Sequence, residues 1–172
     1  MEATRAMSAA MYQRVLIPLD GSPIAESILP FISKIAGPLD MEVILIRVVP
    51  LAPEEVMGIA PTAGPESLDS VENRVREARQ YLDARVEELW AKGLRAQAQV
   101  AIGDAAPEIV AFAHKAGADL IAMTTHGRGG LSRLMMGSVA EEVLRSAAIP
   151  VFLMRMVEAA STSPVAAKGE RT

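Results

Sequence analysis

The sequence predicts an α/β fold: one doubly wound, five-stranded parallel sheet with helices on both faces. Strand-like and helical patterns alternate along the chain in the order β-α-β-α-β-α-β-α-β, and this alternation is typical of a parallel sheet. Most strand-like runs are continuously apolar, as in strands that are covered on both faces. The length of 172 residues, 51% of them hydrophobic, suits a single domain with a sizeable core.

The first third of the chain contains two strands and a helical segment between them. Residues 15–19 form a short apolar run that predicts the first strand. Ser22 is a good helix N-cap and Pro23 suits the first helical position. Pro30 lies inside the helical pattern that follows, where we expect it to kink the helix because it removes a backbone hydrogen bond. Residues 43–49 then predict the second strand.

A long loop and a long helix follow the second strand. Residues 50–66 are rich in Pro, Gly and Ala, which indicates a loop. Apolar residues then recur every three or four positions from Leu68 to Leu89 among charged residues, which predicts an amphipathic helix that stops at Gly93. Residues 96–102 give a weaker strand signal.

The last third repeats the strand and helix pattern twice. A turn at Gly103 and Asp104 leads into a helix that ends at Gly117. Residues 120–123 predict a buried strand, and a glycine-rich loop is expected from Thr124 to Met136. Gly137 and Ser138 open the next helix. Residues 150–154 predict the last strand.

Composition excludes several classes of function. The net charge of −4 and an aromatic content of 3% argue against a nucleic-acid partner. No apolar stretch of about 18 residues is present, so we expect no membrane span. The absence of cysteine excludes disulfides and thiolate metal sites and favours a cytoplasmic location.

The glycine-rich segment is the strongest functional signal. Ligands of doubly wound sheets bind beyond the carboxyl ends of the strands, which brings together the loops after the first, second and fourth strands. Gly127, Gly129 and Gly130 allow the backbone to approach a ligand closely. The helix that begins at Ser138 offers free N–H groups and a dipole to an anion, and Arg128 can add positive charge. The alternative is a flexible turn before an ordinary capped helix.

Other common chemistries lack their motifs. There is no G-x-x-x-x-G-K-[ST] P-loop and no G-x-G-x-x-G after the first strand. Two histidines without cysteine make a transition-metal site improbable, and nothing like G-x-S-x-G surrounds Ser138. Asp20 can orient a Mg²⁺ ion through water, or alternatively cap the following helix together with Ser22.

The order of these motifs resembles the universal stress protein family. The resemblance rests on residues 15–22, on the Gly103–Asp104 turn and above all on T-H-G-R-G-G-L-S-R-L-M-M-G-S-V-A-E. The nucleotide-binding members carry G-x-x-G, nine residues, then G-[ST]. Gly127, Gly137 and Ser138 fit this pattern, whereas Thr124 stands where those members have the first glycine.

The resemblance covers residues 12–156 and implies boundaries, fold and function. We expect a disordered leader at 1–11, the family domain at 12–156 and a disordered tail at 157–172. The implied fold is that of the adenine nucleotide alpha hydrolases, with strand order 3-2-1-4-5. The implied ligand is ATP, or ADP or AMP, with Mg²⁺ carried by the nucleotide. The resemblance further implies a homodimer that pairs through the last strand, Val151 to Met154.

The resemblance also suggests a role for individual residues. Near the first strand, the nucleotide would be lined by Pro18, Leu19 and Asp20, while Val48 would contact adenine. Gly127 and Arg128 would lie along ribose and phosphate, and Gly137, Ser138 and Val139 would hold the phosphates. Thr124 and Gly130 complete the nucleotide-binding set.

Three hypotheses follow. The first is an ATP-binding stress-response or signalling module, in which occupancy changes the loop or the dimer surface. The second is a dimeric scaffold that works without nucleotide, motivated by Thr124. The third is an enzyme, which we rank last because the H-x-G-H and S-G-G-x-D-S signatures of related classes are absent. Slow ATP hydrolysis stays open, since bound Mg²⁺·ATP needs only a positioned water.

Overall fold

The fold is described from a computed structural model that covers residues 12–51, 70–127 and 137–157. Within these residues five strands form one sheet: β1 (Arg14–Pro18), β2 (Glu42–Val49), β3 (Arg95–Ile102), β4 (Leu120–Gly127) and β5 (Val151–Val157). The strand order is β3-β2-β1-β4-β5, and all neighbouring strands are parallel. The predicted fold class and strand order are therefore confirmed.

Helices cover both faces of this sheet. The described helices are α1 (Pro23–Glu26), α2 (Leu29–Ala36), α3 (Val71–Ala91), α4 (Ala105–Ala116) and α5 (Ser138–Ser146). One core cluster joins the sheet to α2 and α3, and it includes Ile17, Leu45, Ile32 and Leu82. The second cluster joins the opposite face to α4 and α5, and it includes Leu16, Ile44, Ile109 and Val143. None of the described helices is long and apolar enough to cross a membrane.

The first helical segment is interrupted earlier than predicted. The kink was expected at Pro30, but α1 ends at Glu26 and α2 begins at Leu29. Pro30 lies in the first turn of α2, where a missing N–H removes no intrahelical hydrogen bond. Ser27 and Ile28 between the two helices keep helical dihedral angles, so the helical segment is interrupted in the turn just before the proline.

Strand β4 is longer than its apolar run. The glycine-rich loop was expected to begin at Thr124, yet the strand continues to Gly127. Its last four residues pair with β5, from the Thr124–Met154 position to the Gly127–Val157 position. Pairing with a neighbouring strand thus outweighs the turn signal of the sequence, and Thr124 belongs to the sheet.

Several predictions fall on residues that the structure does not describe. The leader at 1–11, most of the loop at 50–66 and nearly all of the tail at 157–172 lie outside the described residues. Val157 is the exception, because it is the last residue of β5. The segment 128–136 also lies outside, and with it Arg128 and Gly130.

Candidate functional site

A cavity of about 240 Å³ lies at the carboxyl end of the sheet. Strand β1 is central, and the chain passes from it to β2 on one side, while β4 flanks it on the other. This reversal of direction leaves a crevice above the end of β1, which is the usual ligand position in doubly wound sheets. The cavity walls come from the ends of β1, β2 and β4 and from the first turns of α1, α4 and α5.

Most residues predicted for the site meet in this cavity. Those that line it are Pro18, Leu19, Asp20, Val48, Thr124, Gly137, Ser138 and Val139. Gly127 is the last residue of β4. Residues from four separate segments of the sequence are thus brought together, as the rule for parallel sheets requires. Their individual roles remain predictions.

The end of the cavity near β2 is apolar. It is lined by Ile46 and Val48 of β2 and by Ile109 of α4, and Met123 of β4 extends the apolar lining on the other side of β1. Ile46 and Val48 share one face because strand side chains alternate. An apolar lining of this kind suits a flat apolar ring of a ligand.

Sequence reasoning missed several members of this apolar wall. Ile46 could have been found from Val48, since a spacing of two residues puts both side chains on one face. Met123 directly precedes Thr124. Ala105 and Ile109 carry no motif, and only the topology, which starts α4 beside the ends of β1 and β2, reveals that they line the cavity.

The opposite end of the cavity is formed by the start of α5. Gly137 is the N-cap of this helix and provides no side-chain hydrogen bond. Ser138 is exposed and lines the cavity. The first N–H groups of a helix have no intrahelical partner and carry partial positive charge. The start of α5 can therefore bind an anion.

Helix caps differ between the cavity and the rest of the fold. Ser22 accepts a hydrogen bond from the Ala25 N–H at 3.1 Å, and Ser70 accepts one from the Asn73 N–H at 3.3 Å. Neither Asp104, the N-cap of α4, nor Gly137 makes a side-chain capping bond. The two helices that begin at the cavity on the α4 and α5 face thus keep their first N–H groups uncapped by side chains, which favours an anionic or hydrogen-bond-accepting ligand.

Asp20 orders the turn that follows β1. Its Oδ1 accepts a hydrogen bond from the Ser22 N–H at 2.8 Å, and Gly21 adopts a φ of 88°, a conformation that favours glycine. The carboxylate is exposed at the rim of the cavity. Among the described residues no group of three or more His, Asp or Glu side chains can hold a metal ion by itself.

A cluster of polar side chains connects α1 to α3. The Tyr81 hydroxyl of α3 donates a hydrogen bond to Glu26 of α1 at 2.8 Å, and Arg85 pairs with the same carboxylate at 3.3 Å. Burial and then the hydrogen bond to Glu26 raise the pKa of Tyr81 above its ordinary value, against the opposing charges of Arg85 and Arg47. Because Ser22 and Ala25 line the cavity, this cluster holds one of its walls in place.

The fold and the crevice define a doubly wound α/β domain with a small-molecule cavity at its switch point. Residues 11–155 match the model of the universal stress protein family. The chain therefore belongs to the universal stress protein family.

Individual relatives agree with this assignment. Universal stress protein MJ0531 of Methanocaldococcus jannaschii is 36% identical over 147 residues, which are 84% of this chain and 83% of that protein. The solved structure of hypothetical protein MJ0577, a universal stress protein of the same organism, has a TM-score of 0.67 at 26% identity and covers 87% of this chain and 100% of its own. A universal stress protein of Archaeoglobus fulgidus, solved in complex with dAMP, has a TM-score of 0.59 at 20% identity and covers 83% and 98%.

Proposed function

We propose that this chain binds an adenine nucleotide, ATP in the first place, in the cavity at the end of β1. The observation that carries the proposal is that one crevice contains both an apolar wall at β2 and the start of α5, whose first N–H groups have no side-chain cap. A nucleotide has the same division between an apolar base and an anionic phosphate. The Archaeoglobus protein of the same fold was solved with dAMP, so the fold is compatible with this ligand class.

The order of the strands suggests how the nucleotide lies. The base would pack between Val48 and the apolar residues around it, where a flat ring replaces water against apolar surface. The phosphates would bind at Gly137, Ser138 and Val139, with hydrogen bonds from backbone N–H groups and the Ser138 hydroxyl. The sugar would then lie above the end of β1, near Leu19 and Asp20. Gly127, Arg128 and Gly130 remain predicted contacts of the ribose and phosphates.

Magnesium would arrive with the nucleotide. Mg²⁺ is usually bound by substrate phosphates and one or two carboxylates and keeps several waters. The cavity rim offers the carboxylate of Asp20, which fits a Mg²⁺ held mainly by phosphates. Magnesium would neutralise phosphate charge there, while the chain itself contributes the α5 N–H groups and the ordered turn after β1.

The two edges of the sheet differ in a way that supports a homodimer through β5. On β3, the outward carbonyls of Ala96, Ala98 and Val100 accept hydrogen bonds from Trp90 Nε1 at 2.9 Å, an Arg79 guanidinium nitrogen at 3.2 Å and Gln99 Nε2 at 2.8 Å. Side chains thus occupy the acceptors that another strand would need. Such covering is how proteins protect exposed edges.

Strand β5 has no comparable cover among the described residues. The Ile121 N–H donates to the Pro150 carbonyl at 3.0 Å, so alternate residues of β5 bond to β4. Val151, Leu153 and Arg155 therefore direct their N–H and C=O groups outward. No side-chain hydrogen bond to these groups is found within the described segments. Because side chains cover the outward carbonyls of β3 and no described residue covers those of β5, pairing of two copies through β5 is favoured.

The proposed role is that of a homodimeric, nucleotide-linked module in stress response or signalling, located in the cytoplasm. A scaffold that works without nucleotide is the second candidate, favoured by the bulk of Thr124 at the cavity wall. Catalysis of ATP hydrolysis is not part of the proposal, although a slow reaction would need only a positioned water.

The test is to denature the purified protein and identify released nucleotide by chromatography and mass spectrometry. Protein that releases none is then titrated with Mg²⁺·ATP while its melting temperature is recorded. We expect either released adenine nucleotide or a rise in melting temperature, since a ligand that binds only the folded state stabilises it. If no adenine nucleotide is released and millimolar ATP does not raise the melting temperature, the proposal is wrong and the scaffold is favoured.

A further inference from the structure

The side chain of Arg47 connects helix α3 to the turn that follows β1. Arg47 is half-buried on β2, and its Cζ lies 5.1 Å from the centre of the Tyr81 ring on α3. The same guanidinium contacts the turn, because a Cβ built at Gly21 would lie 3.3 Å from its Nη1 and 3.5 Å from its Cζ and Nη2. The side chain therefore reaches from the ring on α3 to the backbone of the turn.

The flat face of the guanidinium makes the contact with Gly21. In an edge-on approach the central carbon would be clearly more distant than the nitrogens, whereas here Cζ is as close as Nη2. The face of an aromatic ring also attracts a planar cation. Within the described part of the chain Arg47 has no hydrogen bond or ion pair, unlike Arg85, which pairs with Glu26. Stacking therefore holds Arg47 in place.

The turn that Arg47 contacts forms part of the cavity. Asp20 and Ser22 line the cavity on either side of Gly21, and Arg47 is not among the lining residues. Gly21, with its φ of 88°, is the residue type with the greatest conformational freedom. The hydrogen bond from the Ser22 N–H to Asp20 is exposed, so water competes with it. A contact from outside the turn therefore adds order that the turn itself provides only in part.

We infer that Arg47 is a positioning residue of the nucleotide cavity: its guanidinium, stacked on the Tyr81 ring, holds the turn at Gly21 so that Asp20 and Ser22 keep the arrangement that the ligand requires. The inference rests on the proposed function. It adds a contribution from α3, a helix of which no described residue lines the cavity.

The expected effect on binding follows from the population of the ordered turn. When only a fraction of the molecules has the binding-competent conformation, the apparent affinity is reduced by that fraction. Loss of the Arg47 contact should therefore weaken nucleotide binding although no group that touches the ligand has been removed.

The test compares the wild type with Arg47→Met, Arg47→Lys, Tyr81→Leu and Tyr81→Phe. Methionine keeps a long, unbranched side chain without the planar cation, and lysine keeps only the charge. Leucine removes the aromatic face, whereas phenylalanine keeps it. Arg95→Met is the matched control, because it changes the net charge by the same amount at the amino end of β3, far from the cavity.

Three quantities are measured for each protein. Calorimetry gives the affinity for Mg²⁺·ATP, urea unfolding shows that the ligand-free variant is folded, and NMR relaxation gives the backbone order parameters of Gly21 and Ser22. A role of Arg47 in overall stability alone would leave these order parameters unchanged.

We expect Arg47→Met, Arg47→Lys and Tyr81→Leu to bind ATP about threefold to tenfold more weakly, which corresponds to a competent turn in roughly 10–30% of the ligand-free molecules. Their order parameters at Gly21 and Ser22 should be below those of the wild type without ATP and equal to them at saturating ATP. Tyr81→Phe and Arg95→Met should match the wild type in both quantities.

Failure of this inference and failure of the proposed function give different results. Unchanged ATP affinity in folded Arg47→Met, or a lower affinity with unchanged order parameters, overturns this inference and leaves the proposed function intact. Wild-type values for Arg47→Lys would show that the charge alone suffices and would overturn it as well. A wild type that binds no ATP overturns the proposed function and this inference together.

Discussion

The indole nitrogen of Trp90 donates a hydrogen bond to the backbone carbonyl of Ala96 at 2.9 Å. Trp90 lies at the end of α3 and Ala96 on the edge strand β3. Trp90 as a whole residue is 59% exposed, so burial alone does not explain its position. Together with Arg79 and Gln99, it covers the outward carbonyls of this edge, whereas no described residue covers the outward groups of β5 at the other edge.

Removing these covers should let copies of the protein associate through β3. We expect the triple variant Arg79→Ala, Trp90→Phe, Gln99→Ala to form species larger than the wild-type assembly as concentration rises, because an open edge pairs with other strands. Sedimentation velocity measures the distribution of sizes. Gln80→Ala, an exposed change beside Arg79, is the control and should behave as wild type. A triple variant with the wild-type distribution at every concentration would show that the covers do not limit association.

A proline at residue 155 should weaken the proposed dimer. Arg155 is exposed and directs its N–H away from β4, so Arg155→Pro removes an outward donor while the bonds to β4 remain. Arg155→Ala removes the charge and keeps the donor. We expect a wild-type dimer, an unchanged alanine variant and a proline variant with at least about tenfold weaker dimerisation in analytical ultracentrifugation. Equal dimerisation of all three would exclude β5 as the interface.

Tyr81 should make stability fall at alkaline pH. Its folded-state pKa lies above the ordinary value of 10.0, so above about pH 10 the unfolded chain loses this proton while the folded chain keeps it. The stabilisation is complete below pH 10 and declines as the pH rises beyond it. Urea midpoints of the wild type should therefore fall more steeply above pH 10 than those of Tyr81→Phe. Parallel profiles of the two proteins would show that the tyrosine has no part in the decline.

Of two serines at helix starts, we expect Ser70 to stabilise the fold and Ser138 to bind the nucleotide. Ser70 caps α3, and Ser70→Ala should cost about 1 kcal/mol of unfolding free energy without changing nucleotide affinity. Ser138 makes no capping bond, so Ser138→Ala should leave the stability of the ligand-free protein nearly unchanged and weaken ATP binding. Urea unfolding and calorimetry measure the two quantities. A large loss of ligand-free stability in Ser138→Ala would mean that Ser138 serves the fold.

The sequence predicted the architecture well because the signals for the fold are local. Apolar runs such as residues 43–49 and helix ends such as Gly117 depend on neighbouring residues alone. The end of β4 was mispredicted because residues 124–127 are held by pairing with β5, a contact remote in the sequence. The interruption of the first helical segment lies at Ser27 and Ile28, in the turn before Pro30, because the proline has no N–H to continue the hydrogen-bond ladder.

The candidate site was predictable where backbone chemistry defines it. The glycine and serine at 137–138 carry a motif, and the residues at the ends of β1 and β2 follow from the switch-point rule. Ile109 and Ala105 were missed because their role depends on where α4 begins in space.

Gly137 gives the most direct test of nucleotide binding at the start of α5. Apart from its chain neighbours, no described residue has an atom within 4 Å of a Cβ built at this position, so a valine meets no clash with the described residues but projects a side chain where phosphates would approach the backbone. Gly37→Ala, at the end of α2 with ordinary contacts of 3.4 and 3.5 Å, is the control. Titration of each protein with Mg²⁺·ATP should give wild-type affinity for Gly37→Ala and at least about tenfold weaker binding for Gly137→Val, since hydrogen bonds to a charged group are lost. Unchanged affinity in Gly137→Val would contradict the account.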